Sequence, residues 1–304
     1  FSDGFSRTAP NSEGPSRAQI FGDGKEANLP LLQMIVLAIV QGITEFLPIS
    51  SSGHLVLVWH VLDAGGWATA GQTASDRLAL DIAVHVGTLL AVCLYFRREL
   101  LSIGRGIGPL ARGKPEAGGW LAVYILVATV PLGLVGFFVR DFITTHMRDV
   151  EVVAWATIAF GVLLHLADRI GRQSHHLQDM TFGRALVVGL GQVLALIPGT
   201  SRSGITMTMG RFLGFTRSEA ARFSMLLAIP AIAGPGLLIG VELYRAGQVS
   251  LGIDAAIAAA LAFVFAYVAI VLLIGWLQRA SFTPFVIYRL ILGAVLLYWV
   301  YGGS

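Results

Sequence analysis

The chain has 304 residues, of which 55% are hydrophobic and 13% charged. Soluble domains carry about 25% charged residues, so these proportions exclude a soluble globule and predict an all-α polytopic membrane protein. The formal charge of +3 decides little, because placement of Lys and Arg sets orientation, and the single cysteine, Cys93, excludes an intrachain disulfide and a cysteine metal cluster.

Residues 1–28 are polar and small, without the apolar stretch of a signal peptide. They read as a disordered leader or an expression remnant, and residues 29–304 as one membrane domain. Leu31–Leu47 is apolar but interrupted by Gln41, Thr44 and Glu45, and it stops at Pro48. At ~1.5 Å per residue it is short for a hydrocarbon core of ~30 Å. After the polar turn Ile49–His54, only Leu55–Leu62 remains before a Gly-rich loop. Two short arms around a polar tip predict a re-entrant hairpin, tolerable at membrane depth only inside protein or beside water. A single tilted, kinked span is the alternative.

Leu78–Phe96, Trp120–Val139 and Val152–Leu166 follow as full spans. The loop after the first holds Arg97, Arg98, Arg105, Arg112 and Lys114 against Glu99 and Glu116, and that after the third holds Arg169, Arg172 and Arg184. The loop between them (Arg140, Asp141, Arg148, Asp149, Glu151) has no net positive charge. Positive loops stay inside, which puts the first and third in the cytoplasm.

The pattern then starts again. Leu186–Phe215 is a second pair of short arms around a polar tip, followed by Phe223–Leu243, Ala255–Leu277 and Phe285–Tyr301. The tips align as Glu45–Gly53 over Ala195–Gly204, with Pro48 over Pro198 and Ser51 over Ser201. Three spans is an odd number, so the second copy enters from the opposite side. The expectation is two inverted-topology repeats, about 31–168 and about 184–301, each a re-entrant helical hairpin plus three transmembrane helices, with the site where the broken helices meet.

The tips are chemically complementary. The first offers Gln41 and Glu45 on one helix face, then Ser50, Ser51, Ser52 and His54; the second offers no acid but Ser201, Arg202, Ser203 and Thr206. Arg202 can grip a phosphate bidentately, and Ser50, Ser201, Ser203 and Thr206 can complete the cradle with backbone N–H groups. An acidic residue inside an apolar run is a functional candidate by default. The bland reading of the second tip is a solvent-facing loop with its arginine at a lipid headgroup. Asp81 and His85, four apart, either line a cavity or form a structural pair, while His175 and His176 read as a solvated run.

Gln41-x-x-x-Glu45, Phe46–His54 and Pro198–Thr206 together resemble the paired signatures of the BacA-type undecaprenyl-diphosphate phosphatases, and the likeness extends over about 31–301. The resemblance implies a bacterial cytoplasmic (inner) membrane enzyme that converts undecaprenyl diphosphate to the monophosphate carrier lipid for cell-wall synthesis. It also implies bacitracin resistance, a site open to the periplasmic side, and dependence on a divalent cation, Mg2+ or Ca2+. The expected catalytic residues are Glu45, Ser51, His54 and Arg202, with Glu45 and Gln41 as metal ligands. The first motif position is Gln41 where many relatives have Glu, which removes one carboxylate. Ser51 with His54 as its base, His54 itself, or water activated by His54 are all open as nucleophile. The expected partners are a polyprenyl diphosphate and membrane lipids, with no nucleic acid, and a homodimer is admitted. A lipid-phosphate flippase or transporter fits the inverted repeats equally well, but has less use for serine and histidine beside the arginine. A lipid-diphosphate binder without turnover would need Arg202 but not His54.

Overall fold

A computed structural model describes residues 31–64, 74–114, 116–147, 149–245 and 253–302. The expected leader 1–28, the Gly-rich loop 65–73 and Arg148 lie outside them. In chain order the helices are α1 (Leu31–Thr44), α2 (Ser51–Ala64), α3 (Ala74–Tyr95), α4 (Arg97–Ala111), α5 (Ala117–His146), α6 (Val150–Ile170), α7 (Phe182–Gln192), α8 (Arg202–Phe212), α9 (Arg217–Arg245), α10 (Ile253–Leu277) and α11 (Thr283–Gly302). A 3-10 turn, Val193–Leu196, prolongs α7. Among the described residues six helices, α3, α5, α6, α9, α10 and α11, are long and apolar enough to cross a membrane, and an isolated bridge replaces any β-strand. The protein is an all-α polytopic membrane protein.

The second pair of arms is a hairpin that enters and leaves by one face. The N–H groups of Ser174 and His175 donate to the carbonyl of Gly214 at 3.1 and 3.0 Å, and Thr216 N–H donates to the carbonyl of His175 at 3.0 Å. The end of α8 is thus tied to the strap that leads into α7. At the same end Arg211, fully buried, donates to the Asp168 carboxylate and to the carbonyls of Gly171 and Arg172. Asp168 also receives Arg217 Nε at 2.7 Å and the Phe282 N–H at 3.2 Å. These bonds pin α6, α8, α9 and the start of α11 together, and a buried charge so completely partnered is tolerable.

α1 packs along α10, where Met34, Leu37 and Ala38 meet Ala258 and Ala262. A Cβ on Gly42 would lie 2.7 Å from Phe265 Cβ and 2.9 Å from the carbonyl of Ala262, so the close approach requires glycine. α7 packs along α5 in the corresponding manner. Phe46, fully buried, carries the first tip into the main core with Phe96, Leu164, Met207 and Ile270.

α4 departs from the sequence expectation. Residues 97–114 read there as a basic loop, but they form a helix whose Leu100, Ile103, Ile107 and Leu110 recur at three- and four-residue spacing between arginines. Such a stripe buries itself against a bilayer surface or a neighbouring helix. Here it leans on the start of α5, where a Cβ on Gly106 would come within 2.2 Å of the Gly119 nitrogen.

Candidate active site

Both tips turn on a serine in left-handed backbone conformation, Ser50 with φ 74° and Ser201 with φ 70°. For a non-glycine residue this costs on the order of 1–2 kcal/mol, and each serine offsets it by capping the next helix. Ser50 Oγ accepts the Gly53 N–H at 3.3 Å, and Ser201 Oγ accepts the Gly204 N–H at 3.1 Å. The structural equivalence is therefore Ser50 with Ser201, one residue off the expected register of Ser51 over Ser201. The second tip has Gly199 and Thr200 between its proline and the cap, where the first has Ile49 alone. This shift brings Ser51 into the place of Arg202.

Arg202 reaches across the tips. Its Nη2 donates to Glu45 Oε1 at 2.9 Å, while Glu45 Oε2 receives Ser51 Oγ–H at 2.7 Å and Gln41 Nε2 at 2.9 Å. The Glu45 carboxylate thus has three donors from both hairpins, in a side chain only 6% exposed. The pair is made through one guanidinium nitrogen, while Nη1 donates to the carbonyl of Ser224 at 3.4 Å.

His54 stands apart from this network. Its Nδ1 lies 2.6 Å from the carbonyl of Ser50, which can only accept, so that nitrogen carries the proton. In the neutral ring Nε2 then accepts from the Tyr288 hydroxyl at 2.5 Å. The expected pairing of Ser51 with His54 as base is not the one the side chains make: Ser51 donates to Glu45. Tyr288 was silent in the sequence, since a tyrosine in a span has many ordinary reasons to be there.

The remaining expected phosphate binders shape the tips from inside. Ser203 Oγ–H donates to the carbonyl of Leu47 at 2.8 Å and lies 3.1 Å from Ser201 Oγ. The Thr206 hydroxyl sits 2.8 Å from the carbonyl of Arg202 and 2.6 Å from Ser224 Oγ. Ser50, Ser201, Ser203 and Thr206 are all buried, whereas Ser51, His54 and Arg202 are partly open. His85 Nδ1 lies 2.6 Å from the Asp81 carbonyl, and Trp59 Nε1 donates to the Asp81 carboxylate at 3.3 Å. His175, expected in a solvated run, is half-buried at the bridge to Phe215, 2.7 Å from Arg184 Nη2.

Arg289 of α11 is the residue sequence reasoning missed. Fully buried, it donates to the carbonyls of Thr157 (3.0 Å), Pro48 (3.2 Å), Gly199 (3.0 Å) and Thr200 (3.0 Å), so one guanidinium holds both tips. The signal was available, because an arginine in the middle of Phe285–Tyr301 is expensive unless it has work there. Gly199 takes φ 92°, and a Cβ there would lie 2.4 Å from the Val153 carbonyl, so the second tip admits no side chain at that position.

Among the described residues no group of three or more His, Cys, Asp and Glu side chains gathers for a metal. The donors for a cation are the Glu45 carboxylate and Gln41 Oε1, a buried amide oxygen without a hydrogen-bond partner. One carboxylate and one amide oxygen fit a hard cation that shares its remaining coordination with phosphate oxygens.

The sequence model described as bacitracin resistance protein BacA matches residues 34–295. The chain is 46% identical to the undecaprenyl-diphosphatase of Alteromonas mediterranea over 274 residues, covering 90% of this chain and 100% of that protein. It is 43% identical to the undecaprenyl-diphosphatase of Roseobacter denitrificans over 275 residues, with 90% and 100% covered. The undecaprenyl-diphosphatase of Chromohalobacter salexigens is 47% identical over 274 residues, with 88% and 98% covered.

Proposed function

This chain belongs to the BacA family of bacitracin resistance proteins, and from that premise we infer how its two tips act on a lipid diphosphate. The protein is an undecaprenyl-diphosphatase: it hydrolyses undecaprenyl diphosphate to undecaprenyl phosphate and inorganic phosphate, recycling the carrier lipid for cell-wall synthesis. The observation that carries the mechanism is the meeting of Arg202, Glu45 and Ser51 across the tips.

The terminal phosphate takes the fork of Arg202 in place of Glu45. Glu45, released from its ion pair, accepts the proton of Ser51, whose hydroxyl already points at it. Ser51 Oγ attacks the terminal phosphorus, the bond to the bridging oxygen breaks, and undecaprenyl phosphate leaves with that oxygen. Arg202 and the N–H groups opening α8 stabilise charge on the equatorial oxygens. His54 Nε2, exchanging its bond with Tyr288 for one with water, then takes a proton from that water as its oxygen attacks the phosphoserine, and Glu45 returns its proton to the departing Ser51 Oγ. A divalent cation held by Glu45 and Gln41 would neutralise phosphate charge and help align the diphosphate.

Two inverted repeats account for the architecture. In support, α1 lies along α10 while α7 lies along α5, each hairpin arm pairing with the other half's middle span. Ser50 and Ser201 share backbone and cap, and Gln41 and Gln192 are both fully buried with an unpartnered Oε1. With the basic segments 97–114 and 169–184 placed in the cytoplasm, the second hairpin opens inward and the first opens to the periplasm, where the bacterial inner membrane presents the substrate.

The test is phosphate release from an isoprenyl diphosphate by purified protein, wild type and Ser51→Ala, Glu45→Ala, His54→Ala and Arg202→Ala, with folding checked. Loss in all four places both tips in one site. Turnover indifferent to Ser51 and Arg202, with lipid transport intact in vesicles, would favour the flippase reading of the same repeats.

A further inference from the structure

A second concave region lies beyond the tips. A groove of about 770 Å³ runs along α10 from Phe265 to Arg279, walled by Ile43 and Leu47 of the first hairpin and by Phe285 of α11. Its lining is apolar except at one end, where Gln278 and Arg279 stand. A smaller cavity of about 360 Å³, lined by Arg97, Arg98, Glu99, Glu219 and Arg222 among others, also includes Gln278. The two meet at that residue, an oily trough ending in a charged chamber.

The charges in the chamber are unevenly matched. Arg222 is neutralised by Glu99 at 2.7 Å and Glu219 at 3.1 Å. Arg97, Arg98 and Arg279 are exposed, and among the described residues no carboxylate lies within ion-pair distance of them. Arg97 and Arg98 also occupy the first turn of α4, where the helix dipole repels cations and favours an anion. From Phe265 to Trp276 the trough spans about 17 Å at the α-helical rise. That is close to the depth of one leaflet, half of a hydrocarbon core of ~30 Å.

We propose that these cavities bind one anionic glycerophospholipid, its phosphate among Arg97, Arg98 and Arg279 and an acyl chain along α10 towards Leu47. Basic pockets between transmembrane helices recognise anionic headgroups by this combination of point charges and an apolar slot. The substrate's own chain does not explain the arginines. With its diphosphate between the tips, on the reading above, a prenyl chain running down the trough needs only the apolar wall and leaves three guanidinium groups without an anion.

The experiment is native mass spectrometry of the full chain released from bilayers of mixed phosphatidylcholine and phosphatidylglycerol. Wild type is expected to retain phosphatidylglycerol in preference. The triple variant Arg97→Gln, Arg98→Gln, Arg279→Gln is expected to bind it on the order of a hundredfold more weakly, three surface arginines being removed. Val268→Trp, at an exposed position on the trough wall, is expected to lose it too with every charge intact. Both variants should release phosphate from a short, soluble prenyl diphosphate in detergent at the wild-type rate, which confirms that they fold. Equal retention of the two lipids by wild type, or an unchanged preference in the triple variant, overturns the proposal. Displacement of the lipid by a long prenyl diphosphate in step with occupancy of the reacting site also overturns it, by making the trough the substrate's path.

Discussion

Arg202 and Glu45, 157 residues apart in the chain, share one hydrogen-bonded ion pair at 2.9 Å, with side chains 15% and 6% exposed. A pair this enclosed penalises loss of either partner, because the survivor is left as an uncompensated charge; breaking such a pair typically costs about 3–5 kcal/mol. Arg202→Ala is therefore expected to lower thermal stability in detergent and to slow phosphate release by about a hundred- to a thousandfold. Arg202→Lys should recover much of the stability but little of the rate, since an ammonium keeps the charge and gives up the fork. Recovery of both by lysine would reduce Arg202 to a simple counter-charge.

Ser51 donates to Glu45 rather than to His54, and this sets the second prediction. If the two act as one unit, Ser51→Ala and Glu45→Gln each remove most of the catalysis, and the double variant is no slower than the worse single. A double variant slower by the product of the two effects would separate their roles. Single-turnover phosphate release on the three variants measures the difference.

Much of this site was legible because membranes forbid idle polar chemistry. The arms were too short to span and were broken by Pro48, Pro198 and their glycines, so hairpins followed from length, and Glu45 and Arg202 followed from the cost of charge in an apolar run. Register was another matter. Prolines invite alignment, but the cap serines fix the geometry, and one extra residue in the second tip moved Ser201 opposite Ser50. α4 was hidden by its three arginines and the basic residues just beyond it, though its apolar spacing was helical throughout. The partners of Ser51 and His54 depend on rotamers and on α11, which no local pattern encodes.

His54 is held between the Ser50 carbonyl and the Tyr288 hydroxyl, so its tautomer is fixed by two neighbours of unequal importance. His54→Gln should slow turnover by about a hundredfold or more, the usual contribution of general acid–base catalysis. Tyr288→Phe leaves the carbonyl bond in place and is expected to cost only on the order of tenfold. Added to His54→Gln, it should cost nothing further. An undiminished effect of Tyr288→Phe in that background would show that the hydroxyl acts on the substrate itself.

Gln41 carries a buried, unpartnered oxygen on the same amide whose nitrogen donates to the Glu45 carboxylate. Chelation with EDTA is expected to stop turnover reversibly. Gln41→Glu supplies a second carboxylate and should lower the Mg2+ concentration for half-maximal rate by on the order of tenfold, as ligand charge does in oxygen-liganded sites. The titration is of rate against free Mg2+ for both proteins. A midpoint that does not move would place the cation away from Gln41.

Arg289 makes the last prediction, and its logic is structural. Its guanidinium supplies donors to four carbonyls drawn from both tips and α6. Arg289→Met keeps much of the apolar stem but strands those carbonyls in an interior with no water to replace it. Each stranded group costs about 1–3 kcal/mol, so the variant should unfold at markedly lower temperature. Lysine has one ammonium where arginine has a planar fork, and cannot reach Thr157, Pro48 and Gly199 together. Arg289→Lys should therefore fold but bring the tips together poorly, with catalytic turnover depressed more than thermal stability. If Arg289→Lys matched wild type in both, the residue would be a buried counter-charge and not the clamp that sets Arg202 against Glu45.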